Sequence, residues 1–196
     1  MCIRDSGRRE GAGIAGLIGA ALAARGFVVA APEAAADLTV LLADWAVEPH
    51  RYRDLLATDA PHLPVVFGDA VVTVGPLVVP GRSDCLACRE RRRAEEDEAW
   101  PALASQLIHR RAAMRSAPVA LAAAADAVRL AEGWRDDAHG GRGTRLAAAG
   151  DRQVSAPREP HPACGCAALP GSATGVAPRV AARFVPTTGG VHGEPA

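Results

Sequence analysis

Two close cysteine pairs constrain this chain more than any other feature: Cys85 and Cys88 in PGRSDCLACRERRR, and Cys164 and Cys166 in HPACGCAA. Thiolates two or three residues apart can share one tetrahedral zinc ion, and two such pairs complete its shell with no position left open for a substrate. The arrangement therefore reads as a structural clamp that ties the middle of the chain to a segment near its C-terminus. The second half is C-x-C rather than the C-x-x-C of a zinc ribbon, a tighter knuckle that Gly165 permits sterically. A redox C-x-x-C would leave the second doublet unexplained. Disulfides would need an oxidising compartment, for which no export signal is visible.

Composition removes several function classes. The formal net charge is zero, which takes away the strongest electrostatic argument for a nucleic-acid partner. All 22 basic residues are arginine, so chemistry that needs a lysine on a phosphate or in a Schiff base cannot run on these side chains. No uninterrupted apolar run reaches membrane-spanning length, so no membrane partner is expected. The remaining cysteine, Cys2, lies in MCIRDSGRRE, which has charges where a strand or a signal peptide needs apolar residues. Residues 1–10 are expected to be a disordered or artefactual start, with the true N-terminus lost.

From residue 11 the pattern alternates between helix and strand. Gly11, Gly13 and Gly16 form G-x-G-x-x-G at the opening of an alanine- and leucine-rich helix that Gly26 stops. Such a turn can present N–H groups to a phosphate when a strand precedes it and an acidic residue follows the next strand. GRRE is not a strand, although FVVAA (27–31) is expected to be one, with Glu33 or Asp37 in the acidic position. A glycine-rich turn that merely packs helix on sheet is the competing reading. DLTVLLA (37–43) reads as a strand covered on both faces, EPHRYRDLLATD as a crossover helix, HLPVVF as the next strand, and GDAVVTVGPLVVPG as two short β segments. Helices follow, one restarting near Pro101 and one ending at Gly133. DDAHGGRGTR is then a loop and TRLAAAG a short strand. From 169 to 196 prolines, glycines and small residues predict a disordered tail. The expected fold class is α/β: a Rossmann-like, open and mostly parallel sheet with a zinc-clamped helical C-terminal half in one domain over 11–168.

The run PHLPVVFGDAVVTVGPLVVPGRSDCLACRERRRAEEDEAWPALASQL, followed by HPACGC, resembles the actinobacterial ThiF-like partner proteins of azole-forming cyclodehydratases. These are the leader-peptide-binding proteins for thiazole/oxazole-modified microcin (TOMM) precursors, or bacteriocin biosynthesis cyclodehydratase domains. The resemblance covers residues 11–168. It implies the ThiF/MoeB fold, with a four-cysteine zinc site that is structural and lies away from ATP chemistry. It also implies a cytoplasmic protein that works with a YcaO-type cyclodehydratase and the leader of a ribosomal precursor peptide, with room for a homodimer. The leader-binding sheet of such relatives lies towards the N-terminus and is not recognisable here. With no lysine and no spare cysteine beyond Cys2, ATP catalysis by this chain is not expected. The competing reading is a ThiF-like ATP-dependent adenylating enzyme whose ATP site is incomplete in this chain.

Single residues carry smaller expectations. His62 reads as a turn residue at a strand entrance. His161 serves a capping role beside the cysteines. The RERRRAEEDE run is a solvated helix face, and Trp100 anchors a helix start in the core.

Overall fold

The computed structural model describes residues 1–5, 11–30, 36–136, 142–147, 150–156 and 158–167. In chain order these form β1 (Cys2–Asp5), α1 (Gly11–Ala23), β2 (Thr39–Asp44), α2 (Pro49–Ala57), β3 (His62–Phe67) and β4 (Val71–Val74). They continue with α3 (Leu86–Glu96), α4 (Trp100–Leu107), α5 (Ala117–Arg135), β5 (Gly143–Ala147), β6 (Arg152–Ser155) and a 3₁₀ turn, Gly165–Ala167.

The strands make one six-stranded sheet in the order β1-β2-β3-β4-β5-β6. β1, β2 and β3 run parallel, because α1 and α2 carry the chain back between them. β4, β5 and β6 are each antiparallel to their predecessor. The sheet is thus mixed, not mostly parallel as the sequence led us to expect. Parallel pairing stops at β3 because only residues 68–70 separate β3 from β4, too few for a crossover.

Side-chain alternation along the strands assigns the two faces. Val40 and Leu42 of β2, Leu63, Val65 and Phe67 of β3, and Val72 and Val74 of β4 pack under α1 and α5. Helix α5 contributes Ala120, Ala123, Ala124, Ala127, Leu130 and Ala131, small side chains that let it lie close to α1 and the sheet. On the other face Leu41, Ala43, Val47, Tyr52, Leu55 and Leu86 form a second core, and Cys85 and Cys88 belong to it. Each fully buried Val or Leu contributes about 1.5–3 kcal/mol, so both faces are stabilising. Where β5 begins, Gly143 meets the Gly75–Pro76 backbone so closely that a Cβ would lie 2.5 Å from the Pro76 nitrogen.

Several local expectations change. Cys2–Asp5 forms an edge strand against Thr39–Leu42 despite its charges, because backbone hydrogen bonding to β2 does not depend on side-chain polarity. Phe27–Val29 is not a strand: Val28 is 81% exposed, and Ala30 makes only a bridge whose N–H donates to the Met1 carbonyl. The second β segment after β4 reduces to an isolated bridge between Val78 and His62. Helix α5 runs through Gly133 to Arg135, and β6 was not foreseen. The expected tail from 169 and residues 137–141 of the DDAHGGRGTR loop lie outside the described residues, and Gly143–Arg145 of that expected loop belong to β5. No helix among the described residues is long and apolar enough to cross a membrane.

Candidate metal centre

The first cysteine pair is delivered by a compact turn. After the Val78 bridge, the Ser83 hydroxyl accepts a hydrogen bond from the Val79 N–H at 3.0 Å, and Gly81 takes a positive φ of 74°. Cys85 then stands at the N-cap of α3 in extended conformation, with Cys88 in the first helical turn. This places both sulfurs at the positive end of the α3 dipole, which favours thiolate. The second pair is shaped by its own turn: Cys164 N–H donates to the His161 carbonyl at 2.8 Å, and the 3₁₀ turn brings Cys166 round to the same point.

The four sulfurs converge. Cys85 and Cys88 are 3.6 Å apart, Cys85 and Cys164 3.7 Å, Cys88 and Cys166 3.4 Å, and all four lie within 4.8 Å of one another. A zinc–sulfur bond of about 2.3 Å in tetrahedral geometry requires sulfurs about 3.8 Å apart, so the donor set fits one zinc ion. All four cysteines are free of disulfides. Cys85 and Cys88 are buried, Cys164 and Cys166 half-buried.

Electrostatics agree with a site built for a cation. As free thiols, burial and the neighbouring sulfurs push Cys85 up to about 11, and burial with hydrogen bonding to Cys88 pushes Cys166 up as well. Burial also opposes ionisation of Cys164, but the Cys166 N–H and hydrogen bonds from the other three sulfurs outweigh it and lower its pKa. Without a cation, ionisation is thus eased at Cys164 and opposed at Cys85 and Cys166. Backbone donors help: the His161 N–H points at Cys88 Sγ at 3.3 Å.

The two cysteine segments are laced together around the sulfurs. Asp84, only 2% exposed, receives Arg89 through two nitrogens at 3.2 and 3.3 Å, Arg92 at 3.5 Å and the Arg158 N–H at 3.4 Å. The Asp84 N–H returns a bond to the Arg158 carbonyl at 3.1 Å, and Arg92 also donates to the Glu159 carbonyl. His161 accepts from the Ala163 N–H at Nδ1 (3.1 Å), which leaves the proton on Nε2 to donate to Glu95 at 2.7 Å. The ring therefore holds the cysteine turn against α3. The sequence offers Asp84 only as an acidic residue directly before Cys85; Arg89 and Arg92, expected on a solvated helix face, are instead largely covered because they pair with Asp84.

The glycine motif is placed differently. Gly11, Gly13 and Gly16 lie within α1 itself, and a Cβ at Gly13 or Gly16 would meet nothing within 4 Å. At the carboxyl ends of β2 and β3, where open α/β sheets commonly receive ligands, Asp44 is held by Arg115 at 2.7 Å. The Arg115 guanidinium lies 5.1 Å from the Phe67 ring and is only 5% exposed. Asp69 and Gly68 fasten the same segment through the Ala113 and Met114 N–H groups. His62 is fully buried, its Nδ1 donating to the Ala60 carbonyl at 3.0 Å, as a turn residue should. Trp100 is half-buried on α3 and not part of the core.

No family model and no curated protein matches the chain. Solved structures do. The structure of the heterocyclase TruD superposes on 85% of this chain with a TM-score of 0.60 and 23% identity, and this chain spans 26% of that one. A heterocyclase in complex with substrate and cofactor matches 81% of the chain at a TM-score of 0.58 and 18% identity, with 23% of its own length covered. E. coli MccB with AMPCPP and selenomethionine MccA matches 70% of the chain at a TM-score of 0.51 and 17% identity, with 41% of its length covered. At such identities the likeness is one of fold. The chain spans about a quarter of the heterocyclase chains it matches.

Proposed function

We propose that this chain is a zinc-clamped, ThiF-like partner module of an azoline-forming cyclodehydratase, and does not itself use ATP. In this reading a YcaO-type enzyme closes Cys, Ser or Thr side chains of a ribosomal precursor peptide onto the preceding amide. The present chain helps to hold the complex or the peptide leader. The observation that carries the reading is the fold likeness to the heterocyclase TruD over 85% of the chain.

Zinc would be held by Cys85, Cys88, Cys164 and Cys166. With four thiolates it supplies cross-linking and not catalysis, since the shell has no open position. The chain's own contribution is to bury two of the sulfurs, to offer N–H donors to them, and to brace the second pair through Asp84, Arg92 and His161. Four free cysteines fit a reducing, cytoplasmic setting.

Reconstitution with a YcaO-type enzyme and a precursor peptide tests the proposal. Loss of one water per ring, seen by mass spectrometry only when the chain is added, is expected. Ring formation at the same rate without the chain would overturn it. The adenylating alternative draws on the likeness to MccB with AMPCPP. Equilibrium dialysis with labelled ATP and magnesium separates the two, and tight binding would favour the adenylating enzyme.

A further inference from the structure

The four sulfurs differ in how they meet a reagent that arrives from solvent. Cys85 and Cys88 are 1% and 0% exposed, whereas Cys164 and Cys166 are only half-buried. Zinc-bound sulfur keeps thiolate character, and thiolate is the form that oxidants attack. Oxidation therefore begins on the C-terminal pair. The neighbouring sulfurs decide where it ends: Cys166 Sγ has Cys88 Sγ at 3.4 Å, and Cys164 Sγ has Cys85 Sγ at 3.7 Å. Each exposed sulfur thus faces a different buried one across the seam. Cys85 and Cys88 are as close to each other, at 3.6 Å, but both are shielded from the oxidant.

We propose that the cluster is a site of oxidative modification by peroxide, at which the metal clamp converts into a covalent one. Zinc leaves, and the disulfides Cys88–Cys166 and Cys85–Cys164 take its place. The inference rests on the zinc site proposed above and not on the cyclodehydratase partnership. In each half of the reaction the Cys166 or Cys164 sulfur displaces hydroxide from peroxide and becomes a sulfenic acid. The facing Cys88 or Cys85 thiolate then attacks that sulfur, the S–S bond forms and a second hydroxide leaves. Two peroxides accept four electrons from four thiolates, and one Zn²⁺ and four hydroxides are released. The sulfurs need to close only from 3.4 and 3.7 Å to about 2.05 Å. Contacts that do not involve the metal hold the segments in register meanwhile. The Asp84 N–H donates to the Arg158 carbonyl at 3.1 Å, Arg92 donates to the Glu159 carbonyl, and His161 pairs with Glu95 at 2.7 Å. The bridges join positions 78 and 79 residues apart, so residues 158–167 stay tied to α3. A Cys85–Cys88 bridge would instead release them.

The test uses the zinc-loaded full chain, with its metal content measured first. Hydrogen peroxide is added while a chromogenic chelator reports free zinc, and one zinc should appear for about two peroxides consumed. After alkylation of remaining thiols, trypsin leaves Cys85 and Cys88 together on residues 83–89 and Cys164 and Cys166 together on residues 159–179. The unreduced digest should contain these two peptides joined and lighter by four hydrogens than their sum, with fragmentation giving the 88–166 and 85–164 connectivity. A thiol reductant with zinc should restore the separate peptides and the metal. In Cys164→Ser, whose folding circular dichroism checks, one bridge should join the same peptides and Cys85 should be alkylated; the wild-type digest decides the matter if that variant does not fold. Separate peptides each lighter by two hydrogens, the reverse connectivity, sulfinic acid in place of disulfide, or zinc that stays bound in excess peroxide would overturn the inference. Protein without zinc at the outset would remove the clamp itself, a failure of the earlier reading that the first metal analysis identifies and with which this inference falls.

Discussion

Cys85 is the residue on which the clamp turns, because it is buried, caps α3 and lies 3.6–3.7 Å from sulfurs of both pairs. Cys85→Ser should release zinc and lower the melting temperature. With free zinc about 1,000-fold above its dissociation constant, mass action alone makes the loss about 4 kcal/mol. Metal analysis with thermal melting checks it, and an unchanged melting point would count against a structural ion. His62 gives a separate, pH-dependent test. Burial lowers its pKa from 6.5 to about 4, with the positive charge of Arg89 adding to the effect. The unfolded chain therefore takes up a proton that the folded chain refuses. Stability is complete above the unfolded pKa and falls as pH drops from about 6.5 towards 4, by roughly 2 kcal/mol at pH 5. In His62→Gln, urea unfolding with zinc present should lack that part of the slope. The sequence showed both residues, but only the cysteines announced their chemistry. The burial that shifts His62 comes from the Thr39 and Val78 segments on either side of it, a tertiary fact.

At the level of elements, the clamp works because α3 is bound to residues 158–161 by more than metal. Asp84→Ala would leave Arg89, itself largely covered, without its carboxylate and would remove the acceptor of the Arg158 N–H. Breaking a buried ion pair from one side costs about 3 kcal/mol. The same variant should weaken zinc retention, measured by competition with a chelator. Wild-type retention would show that the ion pair and the metal act independently. Strands β2 and β3 and helices α2 and α5 were legible because each carries a run of one period, apolar from Val40 to Ala43 in β2 and alanine-rich in α5. β1 and β6 were not. Both are short edge strands whose sequences, CIRD and RQVS, lack apolar alternation, and their pairing is decided by neighbours. FVVAA failed for the opposite reason: apolar residues alone do not make a strand, and here only Val28 and Ala30 pair, with Met1 beside the edge strand β1.

For the whole molecule, the sheet divides into a parallel half that carries the cysteine clamp on one face and an antiparallel half that α5 covers on the other. That the chain combines helices with a parallel β2–β3 pair was readable from the β-α-β rhythm of residues 37–67, and the switch to antiparallel order was hidden in the brevity of the 68–70 connection. The convergence of the sulfurs was readable only as a possibility of spacing, because nothing local fixes where residue 164 travels relative to residue 85. If the metal is a cross-link between remote segments, chelation should act locally first. Hydrogen exchange should accelerate in 158–167 and the first turn of α3, while β2 and β3 stay protected. Uniform acceleration would mean that the ion supports the whole fold. The most direct measurement is zinc K-edge X-ray absorption on the purified chain, combined with metal analysis. One zinc per chain, ringed by four sulfurs at about 2.3 Å, is expected; a shell containing nitrogen or oxygen, or protein that folds with no zinc at all, would contradict it.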